Sequence, residues 1–181
     1  SEVLKERNEM DPAYMWDLST LFHSDDAFED ALEAVKASVE DLAKYEGTLT
    51  NASAIKTFLD AEYGVMLKVT DIFSYASLRK VEDTRDTKAQ GMYAKAYSEV
   101  VKMQTICSYA EPEILSNDEE TLHAIIHDDC LKDYKIYLEN LVRAKAHTLS
   151  NKEEAIMASF AEALNTPEEA MGALLYADML F

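Results

Sequence analysis

Three observations predict an all-α fold. The 181 residues include only four glycines and three prolines, too few turn formers for a β-rich chain. Apolar residues recur at intervals of three and four along most of the sequence. Residues that cap helices stand ahead of those stripes: Ser24, Asn117 and Ser150. No stretch alternates as a strand would, and no repeat of fixed period is present. The expectation is six or seven helices in antiparallel hairpins, forming a bundle. Residues 1–15 read as a loosely ordered lead-in, 16–115 as an N-terminal helical bundle, and 116–181 as a second helical segment.

Each element has its own signal. Trp16, Leu18, Leu21 and Phe22 form a short apolar anchor. Ser24 and Asp25 can cap a first helix, in which Phe28, Leu32, Val35, Val39 and Leu42 make one stripe. Gly47 suits the left-handed residue that closes it. A second helix begins near Asn51 and runs past Ser74, with Ile55, Phe58, Leu59, Met66, Ile72 and Phe73 as its apolar positions. Gly64 inside it costs about 1 kcal/mol relative to alanine. Val81 to Thr87 is charged and reads as a connection. A third helix places Tyr93, Tyr97, Val100 and Cys107 on one face, and Pro112 ends or bends it.

The second half continues in the same way. Asn117 caps a short helix whose first turn, Asp118 to Glu120, opposes the helix dipole. Another helix starts near Leu131, with Tyr134, Leu138, Leu141 and Val142 turned inward. Ser150-Asn151-Lys152-Glu153 is a capping box, followed by Ile156, Phe160 and Leu164 on an inner face. Thr166-Pro167-Glu168-Glu169 opens one more helix, with proline where its missing N–H costs least.

Composition restricts function before any motif does. Thirty-five acidic against 17 basic residues give a net charge of −18. That field disfavours nucleic acid and anionic membrane surfaces as partners. It serves solubility, or a wall that attracts cationic peptides. Cys107 and Cys130 make no disulfide framework and no Cys-x-x-Cys pair, which suits a reducing cytoplasm. The first residues are charged, so no signal peptide is expected among them, and no run is long and apolar enough to span a membrane.

Chemistry-bearing motifs are few. There is no glycine-rich phosphate loop and no Ser/His/Asp set. His123 and His127 lie four apart, a spacing that puts two imidazoles on one helix face where they could share a metal, with Asp128 and Asp129 near them. A zinc protease helix needs a glutamate after its first histidine, to act as base on the metal-bound water, and that position is Ala124. Leu122, Ile125 and Ile126 point away from the two histidines, so an exposed acidic face is the expectation. Glu111 to Cys130 holds seven acids and no lysine or arginine, as a solvated hairpin end would. Met66, Met92 and Met103 read as core fillers, and most of the ten tyrosines as core-edge residues, with a few free to line a peptide channel. No residue of this chain is assigned a catalytic, metal-binding or cofactor-binding role.

An ordered series of short segments resembles oligoendopeptidase F. Trp16-Asp17-Leu18-Ser19-x-Leu21-Phe22 is similar to its opening, followed by Tyr45-x-Gly47-x-Leu49 and Ser74-Tyr75-Ala76-x-Leu78 before an acidic turn at Asp83 to Asp86. Pro112-Glu113-Ile114-Leu115 comes next. The strongest likeness is Arg143-Ala144-Lys145-Ala146-His147-Thr148-Leu149-Ser150-Asn151-Lys152-Glu153-Glu154, and Ala177 to Phe181 resembles the step into a further region. Phe28 stands where the family pattern suggests tryptophan. The resemblance covers nearly the whole chain. It implies the N-terminal, channel-wall region of a cytoplasmic, thimet-oligopeptidase-like enzyme that hydrolyses short peptides. In such enzymes a His-Glu-x-x-His helix and a later glutamate hold one zinc ion. Those residues are expected beyond Phe181, in a catalytic domain that would be this region's partner, so this chain alone is expected to be inactive. The apolar finish, Leu174, Leu175, Met179, Leu180 and Phe181, is expected to need a cover, and the fragment to self-associate without one. Two other readings stand beside this one: a free-standing acidic helical interaction module, and a small metal-dependent enzyme built on His123 and His127.

Overall fold

The computed structural model describes residues 9–14 and 16–145. Among them every regular element is helical, and six are α-helices: α1 (Asp25–Asp41), α2 (Ala52–Glu82), α3 (Thr87–Cys107), α4 (Ala110–Leu115), α5 (Glu119–Ile126) and α6 (Lys135–Lys145). Short 3-10 turns lie at Pro12–Tyr14, Leu18–Thr20, Leu42–Tyr45 and Asp129–Tyr134. The all-α expectation holds, and the helix count is close to the one expected. His147, the Ser150 capping box, the Ile156 to Leu164 stripe, the Pro167 helix and the apolar finish at Phe181 lie outside the described residues.

The chain divides into two compact units, Ser1–Leu131 and Lys132–Phe181. In the first, α1, α2 and α3 pack around one core of Phe28, Leu32, Val39, Ile72, Met92 and Ala96, all but closed to solvent. Asp25 bonds to Arg79 and Tyr45 meets Phe58, so α1 and α2 run antiparallel. A four-residue connection, 83–86, turns α2 into α3. Lys88 reaches Asp25 and Lys102 reaches Glu40, so α3 lies parallel to α1. The aromatic centre is Phe28, stacked on Tyr75 at 5.7 Å with Phe22 edge-on to both. In the second unit, α6 buries Leu138 and Leu141 while Ile136 stays exposed.

Capping explains most helix starts. Ser24 Oγ accepts from Ala27 N at 3.1 Å, as its sequence position predicts, and the Asn51 side chain accepts from Ala54 N at 3.0 Å at the expected start of α2. Asp86 caps α3 by accepting from Lys88 N and Ala89 N. Gly47 carries the expected left-handed φ of 78°.

Several details differ from the sequence reading. α2 takes in Val81 and Glu82, the first two residues of the expected connection, and Glu82 there pairs with Arg79 one turn back. The face of α3 in the core is Ala89, Met92, Ala96, Glu99 and Met103, and Tyr97 is 50% exposed. Small alanines let α3 approach the core closely, so its tyrosines ride on the rim. Met66 is exposed, unlike Met92 and Met103. Trp16 is exposed as well, while Leu18, Leu21 and Phe22 do pack against the core. Asp118, not Asn117, caps α5, accepting from Thr121 N at 2.8 Å. Leu131 lies in a 3-10 turn, and the α-helix begins at Lys135.

Candidate functional site

Three places concentrate polar or aromatic side chains in the first unit. The most connected is Asp25, the first residue of α1. Its carboxylate accepts from Tyr75 Oη at 3.0 Å and from Arg79 Nε at 3.1 Å and Nη2 at 3.3 Å. Lys88 Nζ lies 2.9 Å from its other oxygen. The Arg79 guanidinium, more than any other group, holds the Asp25 carboxyl far below the usual carboxylate range. Burial, and then the hydrogen bond to Asp25, push the Tyr75 hydroxyl up to about 12. Arg79 also donates to Glu82 at 3.0 Å. A carboxylate so fully occupied by cations and donors is a structural tie between three helices; it has no free lone pair to act as a base.

The second place joins segments far apart in sequence. Glu113 on α4 accepts from Gly47 N at 2.8 Å and from Leu49 N at 2.6 Å. Asn117 Nδ2 donates to the carbonyls of Leu49 and Ile114, and Tyr109 Oη donates to the carbonyl of Leu42. The loop that carries Tyr45-x-Gly47-x-Leu49 is thus gripped by Pro112-Glu113-Ile114-Leu115. Two segments that only follow one another in the sequence are in contact in the fold. Asn117 is lost to capping because its amide is used here.

The third is the histidine pair on α5. Both rings are exposed, while Leu122, Ile125 and Ile126 are buried, which is the orientation their spacing predicts. The rings stack with centroids 4.1 Å apart, and His127 Nδ1 lies 2.8 Å from the His123 carbonyl oxygen. Among the described residues no three His, Cys, Asp or Glu side chains converge as a metal site would require. A cleft of about 350 Å³ beside α5 is lined by Thr50, Asn51, Glu120, Thr121 and Asp128 among others. Those side chains offer acceptors for a cation but no nucleophile and base in contact. Cys107 is held near Glu62, and burial first, with Glu62 adding to it, raises its thiol to about 12, so it is not a reactive thiolate.

Sequence reasoning missed a fourth feature, an aromatic row on the outer flank of α2 and α3. Phe73 meets Tyr93 at 5.6 Å and Tyr97 at 6.4 Å, and the two tyrosine rings stack at 6.1 Å. Lys80 Nζ sits 4.0 Å over the Tyr93 ring. Tyr93, Tyr97, Val101 and Thr105 follow at intervals of four, a spacing legible in the sequence once the α3 core face is read as the alanine side.

Comparison with known proteins gives these features a context. Residues 113–181 match a family model described as Oligopeptidase F. The chain is 31% identical over 175 residues to an oligoendopeptidase F homolog of Borreliella burgdorferi, covering 97% of this chain and 30% of that protein. It is 32% identical over 180 residues to oligopeptidase PepF of Bacillus subtilis, covering 98% and 27%. The solved oligoendopeptidase-F of Enterococcus faecium is similar in structure with a TM-score of 0.70 and 28% identity, over 87% of this chain and 32% of that one. A putative peptidase from Chlamydophila abortus shares the fold with a TM-score of 0.69 at 21% identity, over 99% and 31%.

These likenesses set this all-helical unit against one part of longer proteins named as oligopeptidases. The chain matches the N-terminal region of oligoendopeptidase F, spanning about 30% of the length of the curated relatives.

Proposed function

We propose that this chain serves as a non-catalytic wall of a cytoplasmic, zinc-dependent oligopeptidase that hydrolyses short peptides. The observation that supports this most is a match that runs through 97% or more of the chain to two relatives while covering only 27–30% of them. A peptidase of this kind would draw its zinc ligands and its general base from outside this region. Fit to a zinc ion is poor here: two exposed, mutually stacked imidazoles fill half a tetrahedral site, and Ala124 stands where a base would be. No hydrolytic step is therefore derived through residues of this chain. Its contribution is steric and electrostatic. Helices tied by Asp25 and Glu113 form a stiff surface that excludes folded proteins, and the exposed acids of α4 and α5, such as Glu111, Glu119 and Glu120, favour cationic peptides.

Among the described residues no helix is long and apolar enough to cross a membrane. The competing reading is a free-standing acidic interaction module. One experiment separates them: isolate the complete polypeptide encoded in frame with this chain, and assay cleavage of a quenched short peptide with and without a chelator. Chelator-sensitive cleavage, abolished when the glutamate of a downstream His-Glu-x-x-His is changed to glutamine, is expected. A complete polypeptide without that motif and without cleavage leaves the interaction module as the better reading.

A further inference from the structure

α3 has two unlike sides. Toward α1 it carries Lys88, Lys95 and Lys102, each seven residues from the next and each paired with an acid of α1: Asp25, Glu29 and Glu40. On the opposite flank, shared with α2, there is almost no charge. Going along α3, that flank presents Gln90, Tyr93, Ala94, Tyr97, Val101 and Thr105. On α2, Met66, Thr70, Phe73 and Ser77 continue it, with Tyr63, Leu67 and Val81 at its outer edge. In these rows the ionised side chains are Lys80, which is folded over Tyr93, and at the far end Glu62, which faces Cys107. Yet 29% of the chain is charged and its net charge is −18. Tyr97 is 50% exposed, Leu67 49%, and Met66 and Val101 42% each. Loss of charge together with enrichment in tyrosine, methionine and phenylalanine is the composition of an interface centre.

We infer that this outer flank of α2 and α3 is the seat of the remaining polypeptide of the same peptidase, rather than a wall facing substrate. The inference rests on the reading of the chain as part of a longer enzyme. The flank runs from residue 63 to residue 81 of α2, about 27 Å at 1.5 Å per residue. Two helices about 10 Å apart give it roughly 270 Å² per side, near the low end of interfaces between domains of one chain. An extended peptide is a poor occupant. Its backbone N–H and C=O groups would face helix sides whose own backbone is already bonded, and would lose water without replacement. A folded surface, with its backbone satisfied internally, loses nothing on docking. The size of the proposed partner also fits, since the matched region makes up only 27–30% of the curated relatives.

Thiol labelling tests this in the complete protein. Val101→Cys places a reporter on the flank without touching the core or the charged side of α3. The labelling rate of the introduced thiol is read by mass, against the native Cys107 and Cys130 as baseline. In the complete peptidase we expect labelling slowed roughly tenfold or more relative to the 181-residue chain at the same low concentration. Equal labelling in both overturns the inference. Protection of the 181-residue chain that grows with its concentration assigns the flank to a second copy, and also overturns it. Protection that appears in the complete protein only when a short peptide is added makes the flank substrate-facing, with the same consequence. Peptide cleavage is measured in the same preparation. Cleavage while the introduced thiol stays unprotected defeats this inference alone, whereas protection without cleavage defeats only the proposed function.

Discussion

The two flanks of α3 are built from one helix and do opposite things. The side toward α1 is held by ion pairs and the side toward solvent by aromatic contacts that leave their outer faces bare. Exposed Lys95–Glu29 and Lys102–Glu40 pairs contribute little to stability, because water competes for both partners and salt screens them. What they do supply is register: each lysine reaches one α1 acid in order, which fixes the parallel alignment of the two helices. The bare flank contributes no such register, and of its rings Phe73 and Tyr93 pack on the core while Tyr97 stays half exposed. Its exposed apolar surface is what the proposed cover would remove.

If the charged side matters chiefly through its buried end, then Asp25 should dominate. Asp25→Ala leaves Arg79, Tyr75 and Lys88 without their shared acceptor and is expected to cost roughly 3 kcal/mol, read from urea unfolding at neutral pH. The pH dependence has a definite sign. A carboxyl depressed below its ordinary value of 3.8 stabilises the fold fully above that pH, and the contribution drains away as the pH falls from there toward the depressed folded value. The native chain should therefore lose stability below about pH 4 more steeply than Asp25→Ala does.

The grip on the Gly47 loop should come next. Glu113→Gln keeps the shape but replaces an ionised acceptor of two N–H groups, and a loss of about 1.5 kcal/mol is expected by the same measurement. Hydrogen exchange at Gly47 and Leu49 should quicken in that variant while exchange in the α2 core stays slow. Uniform quickening would mean that Glu113 supports the whole bundle and not one loop.

Lys95→Ala removes an exposed pair and should leave the urea midpoint unchanged within error. A clear drop would show that the ladder is worth more than its exposure suggests, and would weaken the contrast between the two sides. Smallest of all is the effect of zinc. Titration of the 181-residue chain is expected to show no submicromolar binding, and His127→Ala no change. Tight binding lost in that variant would make the stacked pair a ligand set after all.

How much of this was legible beforehand follows from which forces are local. Caps and stripes are local, so Ser24, the start of α2 near Asn51 and the α1 face Phe28, Leu32, Val35 and Val39 were readable from spacing alone. The α3 face was not. Tyrosine and alanine compete for the same core, and hydrophobicity scales rank the larger ring first, whereas close helix packing selects Ala89 and Ala96. Asn117 was misread for a related reason: its side chain could serve its own helix or the carbonyl of Leu49, 68 residues away, and only the fold decides. The same holds for Glu113 and Asp25, whose partners are remote in sequence. The resemblance had already picked out their surroundings as ordered segments, but not that these segments touch. The histidine pair was readable in its orientation, because its spacing against Leu122, Ile125 and Ile126 is a local fact.

The central claim, that this region shapes a peptidase without performing its chemistry, is tested most directly by one assay. A quenched short peptide is offered, with zinc, to the purified 181-residue chain and to the complete polypeptide side by side. The account predicts cleavage by the complete polypeptide, lost on chelation, and none by the 181-residue chain at any zinc concentration. Zinc-dependent, chelator-sensitive cleavage that co-purifies with the 181-residue chain and disappears in His127→Ala would contradict it.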